Sequence, residues 1–222
     1  MVYFEMIMKQ KIFTFSGVDG AGKTTILNEI RRILEDDFNL KVVELRQRPS
    51  ILPILSSIKY GKKIAEKKTM EVLPRSGKNS SKLSSYIRFF YYLSDYIFGQ
   101  WIFYFSDASK GDIVLYDRYY FDYIADPKRA NIIINKTVAK FFYKFIIKPD
   151  VNIFLYASPE VILRRKQELD FDSIVDLTSN YKDLFCEMEK NKNGKYICIE
   201  NINKEATIRK IIGILEGGRY LV

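Results

Sequence analysis

The sequence predicts a three-layer α/β fold in which helices flank a five-stranded parallel sheet. Three observations predict it. Five short segments, KIFTFSG (11–17), KVVELRQ (41–47), DIVLYDR (112–118), VNIFLYA (151–157) and KYICIE (195–200), are nearly continuous in apolar or β-branched residues. Strands covered on both faces read this way. Helical stretches separate them, and right-handed crossovers then place helices above and below one parallel sheet. Finally, SGVDGAGKTT (16–25) follows the first strand and opens the first helix, as a phosphate-binding loop must.

Taken in order, the glycine loop leads into a helix over Thr24 to Phe38, with Ile26, Ile30, Ile33 and Leu34 on one face. After the second strand, residues 56–82 hold eight Lys or Arg against Glu66 and Glu71. This stretch reads as a mobile, solvated insertion or as a phosphate-attracting rim; aromatics do not interleave with its lysines as they would in a nucleic-acid patch. A helix from Ser84 to Ser109 carries much of the aromatic load, and another covers 130–147, ending before Pro149. PEVILRRKQEL (159–169) begins with proline at a favourable first helical position, with Ser158 as its cap. Two more helices follow at 176–191 and 204–215. With 222 residues and no linker or repeat, the chain reads as a single domain, 1–222, with a lid segment near 164–175.

Composition removes several classes of function. There is no histidine, which excludes a His-ligated zinc site and a Ser–His–Asp triad. Cys186 and Cys198 are the only cysteines, so no disulfide framework exists and a reducing, cytoplasmic setting is expected. The opening MVYFEMIMKQK lacks the cleavage region of a secretory signal. IRFFYYLSDYIFGQWIFYF (87–105) is long enough to span a membrane, but Arg88, Asp95 and Gln100 interrupt it and a buried helix is the simpler reading. The net charge of +9 suits a phosphorylated partner, and a small-molecule phosphate acceptor is expected rather than nucleic acid or membrane.

Gly17-x4-Gly22-Lys23-Thr24 meets the Walker A pattern in its proper strand–loop–helix context. Backbone N–H groups from Gly17 through Gly20, Ala21 and Gly22 to Lys23 would form an anion nest at the helix terminus. Lys23 would reach the β- and γ-phosphates of ATP, Thr24 would ligate Mg²⁺, and Thr25 would stabilise the helix start. A GTPase reading lacks its base-specifying motif, since NKTV (135–138) has valine where aspartate is required. At the carboxyl end of the third strand, where open α/β sheets bind ligands, Asp117 is a second metal-ligand candidate. Arg118 presents a donor fork for an acceptor phosphate or the transferring group. Tyr119 either lines the acceptor cavity or packs beneath it.

FSGVDGAGKTT and the DRY of 117–119 resemble the thymidylate kinase family of nucleoside-monophosphate kinases. The likeness extends through VNIFLYASPEVILRRKQEL and the KYICIE strand, and so covers most of the chain. It implies strand order 2-3-1-4-5, ATP- and Mg²⁺-dependent phosphorylation of thymidine monophosphate, and a homodimer. It also implies that Asp19 contacts the acceptor's sugar hydroxyl and that Arg118 holds its phosphate. Arg164, Arg165 and Lys166 would belong to a lid over the donor, with Arg165 the leading candidate. The chain departs from the family at four places. Ser16 replaces a glutamate before the P-loop glycine, and LRQRPS replaces an arginine–glutamate–proline motif, leaving Arg46 and Arg48 as candidates. LSDY lacks a family arginine that Arg88 could supply from two turns earlier. FDYIADPKR replaces the serine and glutamine acceptor signature and resembles a branch of thymidylate kinase-like proteins, some of them associated with surface-polysaccharide pathways. A kinase of a sugar-like or nucleoside hydroxyl, with Asp19, Asp117 or Asp122 orienting the nucleophile, is therefore the alternative. A non-catalytic nucleotide-binding regulator is the third.

Overall fold

The computed structural model describes residues 10–47, 81–105, 111–190 and 194–221. Most of the basic insertion expected at 56–82, and Arg48, lie outside them. The chain gathers into two compact units. The first comprises 10–47, 111–119 and the residues from 148 onward; the second comprises 81–105 and 120–147.

The first unit is built on β1 (Lys11–Gly17), β2 (Val42–Arg46), β3 (Ile113–Asp117), β4 (Val151–Tyr156) and β5 (Lys195–Glu200). Among the described residues these form one parallel sheet, as the apolar runs predicted, in the order β2-β3-β1-β4-β5 that the family resemblance implied. The strands run a residue shorter than expected at several ends, because turns take over where the ladder stops. On one face, α1 (Lys23–Asp36) and α8 (Lys204–Gly217) close a core of Phe13, Phe15, Ile26, Ile30, Leu115, Ile153, Leu155 and Ile211. On the other face lies α7 (Phe171–Lys190), where Tyr181 stacks on Phe154 with centroids 4.7 Å apart and Phe185 meets the Tyr196 ring edge-on. Inside the sheet, the Thr14 hydroxyl donates to the Asn152 side chain at 2.9 Å, so neither polar group is stranded.

The short α6 (Pro159–Arg165) begins where predicted, and the Ser158 hydroxyl accepts from the Val161 N–H at 3.4 Å. It stops at Arg165 instead of reaching residue 169, because Lys166 turns to extended backbone. The following helix starts five residues earlier than expected. The Asp170 carboxylate accepts from the Ser173 N–H at 2.7 Å and holds that start in place.

The second unit holds α2 (Lys82–Ser94), a π-helical turn (Asp95–Gly99), α3 (Gln100–Phe105), α4 (Phe121–Ala125) and α5 (Lys136–Phe142). The single helix expected at 130–147 is shorter. Asn131 adopts a left-handed conformation, φ 53°, and Asn135 then caps a fresh helix by accepting from the Thr137 N–H at 2.8 Å. Phe89, Tyr96, Tyr120 and Tyr123 interlock as edge-to-face and tilted pairs, which explains much of the aromatic excess. The Tyr120 hydroxyl donates to the Ala139 carbonyl, and burial pushes its pKa upward. The buried helix expected over 87–105 is buried on one side only: Phe89, Leu93, Tyr96 and Phe103 are buried, whereas Ile87, Phe90, Phe98, Trp101 and Ile102 are exposed. No helix among the described residues is long and apolar enough to cross a membrane.

Candidate active site

The glycine loop turns at the carboxyl end of β1. The Ala21 N–H donates to the Val18 carbonyl at 3.1 Å, closing a tight turn, and Gly20 and Gly22 take left-handed backbone at φ 89° and 84°. A side chain at either position would be strained. The first helix then begins at Lys23 with Gly22 as a cap that offers no side-chain acceptor. Its leading N–H groups and the positive end of its dipole are thus left to a ligand. Thr24 and Thr25 are exposed on this first turn, while Lys23 is buried.

Two elements grip the back of the loop. Arg165, at the end of α6, donates from its guanidinium to the Gly20 carbonyl at 3.3 Å. Asn201, immediately after β5, donates its side-chain amide to the Ala21 carbonyl at 2.8 Å. Arg164, Arg165 and Lys166 are all exposed; Arg165 is the one that hydrogen-bonds the loop, while Lys166 pairs with Glu168 at 2.9 Å. Sequence reasoning missed Asn201, because its role depends on β5 ending level with the loop.

The parallel register of β1 and β3 sets Phe15 beside Asp117, so both strands deliver charge to the same sheet end. Lys23 forms an ion pair with Asp117. Arg118 pairs with Asp19 at 2.7 Å, both side chains being about nine-tenths buried (7% and 12% exposed). Arg118 itself has φ 73°, a conformation non-glycine residues seldom take, and its N–H donates to the Phe15 carbonyl at 2.8 Å. Strain of this kind concentrates where a side chain must be aimed. Four of the residues singled out in the sequence, Asp19, Lys23, Asp117 and Arg118, are thus brought together as two ion pairs. Such pairs can exchange partners: a polyphosphate competes for the cations and a metal ion for the carboxylates.

The remaining candidates are placed differently. Tyr119 is fully buried with its ring edge-on to Tyr116, 4.9 Å between centroids. Arg46 is exposed at the end of β2, where its register partner is Asp117. In the second unit, Arg88 is half-buried and donates weakly to the Ala130 carbonyl at 3.5 Å. Its Nε is buried with no hydrogen-bond partner among the described residues. Asp122 is buried in α4, and Asp126 is buried just beyond it.

Comparison with known proteins agrees with this arrangement. The family model of thymidylate kinase matches residues 15–211. A relative from Saccharolobus solfataricus named "Probable thymidylate kinase 1" is 23% identical over 209 residues, covering 93% of this chain and 97% of that protein. The crystal structure of thymidylate kinase from Ehrlichia chaffeensis superposes with a TM-score of 0.58 at 17% identity, over 93% of this chain and 98% of that one, a likeness of fold. The phosphate loop at the end of β1, the Asp117–Arg118 pair at the end of β3 and a family match from Phe15 to Ile211 lead to one conclusion: this chain belongs to the thymidylate kinase family of phosphotransferases.

Proposed function

We propose that the chain transfers the terminal phosphoryl group of ATP to a nucleoside monophosphate, thymidine monophosphate foremost, giving the diphosphate and ADP. The observation that carries this reading is the pair of buried ion pairs, Lys23–Asp117 and Arg118–Asp19, beside an uncapped helix terminus. The acceptor phosphate oxygen is already anionic, so no strong general base is required. Catalysis then rests on alignment and on charge compensation. In the transfer, the bond from the γ-phosphorus to the bridging oxygen of ADP breaks as the bond to the acceptor oxygen forms. Lys23 and the loop N–H groups hold the donor phosphates. Arg118 holds the acceptor phosphate, and Asp19, once exchanged from Arg118, faces the sugar hydroxyl. Arg165 adds positive charge from the lid side.

Mg²⁺, when bound, would neutralise charge on the β- and γ-oxygens. The Thr24 hydroxyl and the Asp117 carboxylate are hard oxygen donors of the kind it takes, one or two from the protein and the rest from phosphate and water. Among the described residues no group of three or more acidic, Cys or His side chains could hold a metal alone, which suits an ion carried in by the nucleotide. Arg88, whose buried Nε has no partner among the described residues, supports an anion arriving in the second unit. The reading brings with it a homodimer and a cytoplasmic setting, and sedimentation tests the first.

The deciding experiment is ADP release measured across thymidine, deoxyuridine and the other nucleoside monophosphates, with thymidine and simple sugars as hydroxyl acceptors. Lys23→Ala should lower turnover by on the order of 100-fold or more, and Arg118→Ala should raise the acceptor KM above all else. Turnover confined to hydroxyl acceptors would replace the first reading with the second. That second reading is favoured by FDYIADPKR and the buried Asp122. Tight ATP binding with no turnover on any acceptor would support a binding protein instead.

A further inference from the structure

We propose that Asn201 is a positioning residue for the donor nucleotide: its side chain fixes the Ala21–Gly22 peptide so that the Gly22 N–H is aimed into the phosphate nest. The inference rests on the donor-site reading of the loop. Asn201 is 7% exposed and sits at the carboxyl end of the edge strand β5, where its own N–H donates to the Tyr156 carbonyl at 2.7 Å. Its amide Nδ2 donates to the Ala21 carbonyl at 2.8 Å. A trans peptide is planar, with its C=O and N–H on opposite sides, and this chain has no cis bonds among the described residues. A donor that captures the Ala21 carbonyl from behind therefore turns the Gly22 N–H the other way.

The amide is itself held in one orientation. The Thr207 hydroxyl of α8, 3% exposed, donates to Asn201 Oδ1 at 3.1 Å. With its oxygen bound to that hydroxyl, Asn201 must present its NH₂ to the loop. The approach is close: a Cβ at Gly22 would fall 2.5 Å from Asn201 Nδ2. The neighbouring peptide is fixed independently, by Arg165 on the Gly20 carbonyl and by Ala21 N–H to the Val18 carbonyl. Asn201 thus governs one peptide of the nest, and Thr207 acts through it without touching the loop in any bond seen here.

The test uses the full chain. Affinity for ATP–Mg²⁺ is measured by calorimetry, and donor and acceptor KM are measured separately, for the wild type, Asn201→Ala, Thr207→Val and the core control Leu184→Val. Losing the bond and leaving the Ala21 carbonyl unmet should weaken ATP binding and raise the donor KM roughly 10-fold in Asn201→Ala, with the acceptor KM unmoved. Thr207→Val keeps the shape but frees the amide, and should raise the donor KM by a smaller factor, about 3-fold. Leu184→Val should lower the melting temperature and leave donor KM alone. Unchanged donor affinity in Asn201→Ala overturns the proposal, as does an equal rise in both KM values. If Asn201→Ala does not fold, Thr207→Val decides, and unchanged donor KM there overturns it. Wild-type protein that fails to bind ATP would overturn the donor reading and this inference together, whereas wild-type binding with unaffected variants overturns this inference alone.

Discussion

Replacing Arg118 by alanine and, separately, by glycine divides two contributions that the structure combines at one residue. Both variants lose the guanidinium that pairs with Asp19 at 2.7 Å. Breaking a buried ion pair by removing one partner costs about 3–5 kcal/mol, because the other charge stays out of water. That is a large share of the roughly 5–15 kcal/mol that holds a domain folded. The variants differ in the backbone. Arg118 sits at φ 73°, where alanine carries a left-handed cost of about 1–2 kcal/mol and glycine carries none. Glycine gives back roughly 0.5–1 kcal/mol through the freedom of its unfolded chain. Glycine should therefore be the more stable replacement by about 0.5–1 kcal/mol, the reverse of the usual ranking. Urea titration followed by circular dichroism measures this directly. With a slope near 3 kcal/mol/M the midpoints should lie about 0.2–0.3 M apart, the alanine variant about 1–1.7 M and the glycine variant about 0.7–1.5 M below the wild type. An alanine variant as stable as the glycine variant would refute the strain argument. Midpoints matching the wild type would refute the assignment of stability to the Arg118–Asp19 pair.

Two further outcomes follow from packing and burial. Tyr181→Ala removes the ring stacked on Phe154 from a site with about 1% exposure and should cost about 3–5 kcal/mol in the same titration; a midpoint equal to the wild type would refute the packing role. Burial lowers the Lys148 pKa from 10.5 to about 7, so above about pH 7 the unfolded chain holds a proton that the folded chain has released. Stability should then rise with pH between about 7 and 8, by at most about 1.4 kcal/mol per pH unit, and be flat in this respect below 7 where both states are protonated. Lys148→Met should remove that slope, and a slope that persists in the variant would assign it to another group.

The sheet was legible because strands buried on both faces leave unbroken apolar runs, and all five such runs became strands in the expected order. The phosphate loop was legible because its backbone demands glycine at fixed offsets. Local caps were read where the residue stood beside a helical pattern, as at Ser158, and missed where it stood inside one. Asn131 and Asn135 look like ordinary polar residues within 130–147, yet one breaks the helix by its left-handed backbone and the other restarts it. The charge pairing of the site was not legible at all. Lys23 meets Asp117 across 94 residues, and Asn201 meets Ala21 across 180. Only the strand register brings these residues level.

That same register has a consequence for synthesis. Among the described residues, strand β2 is bonded to β3 alone, while β1 lies between β3 and β4. A nascent chain has thus made β1 and β2 before either has a partner among the described strands, since they do not pair with each other. The second waits roughly 70 residues for β3, or about 4–14 s at ordinary elongation rates. Through that interval β1 and β2 carry apolar side chains and ladder groups that later meet in the described sheet. The emergence of β3 (Ile113–Asp117) joins both strands at once, and it brings Asp117 and Arg118 to Lys23 and Asp19 in the same step.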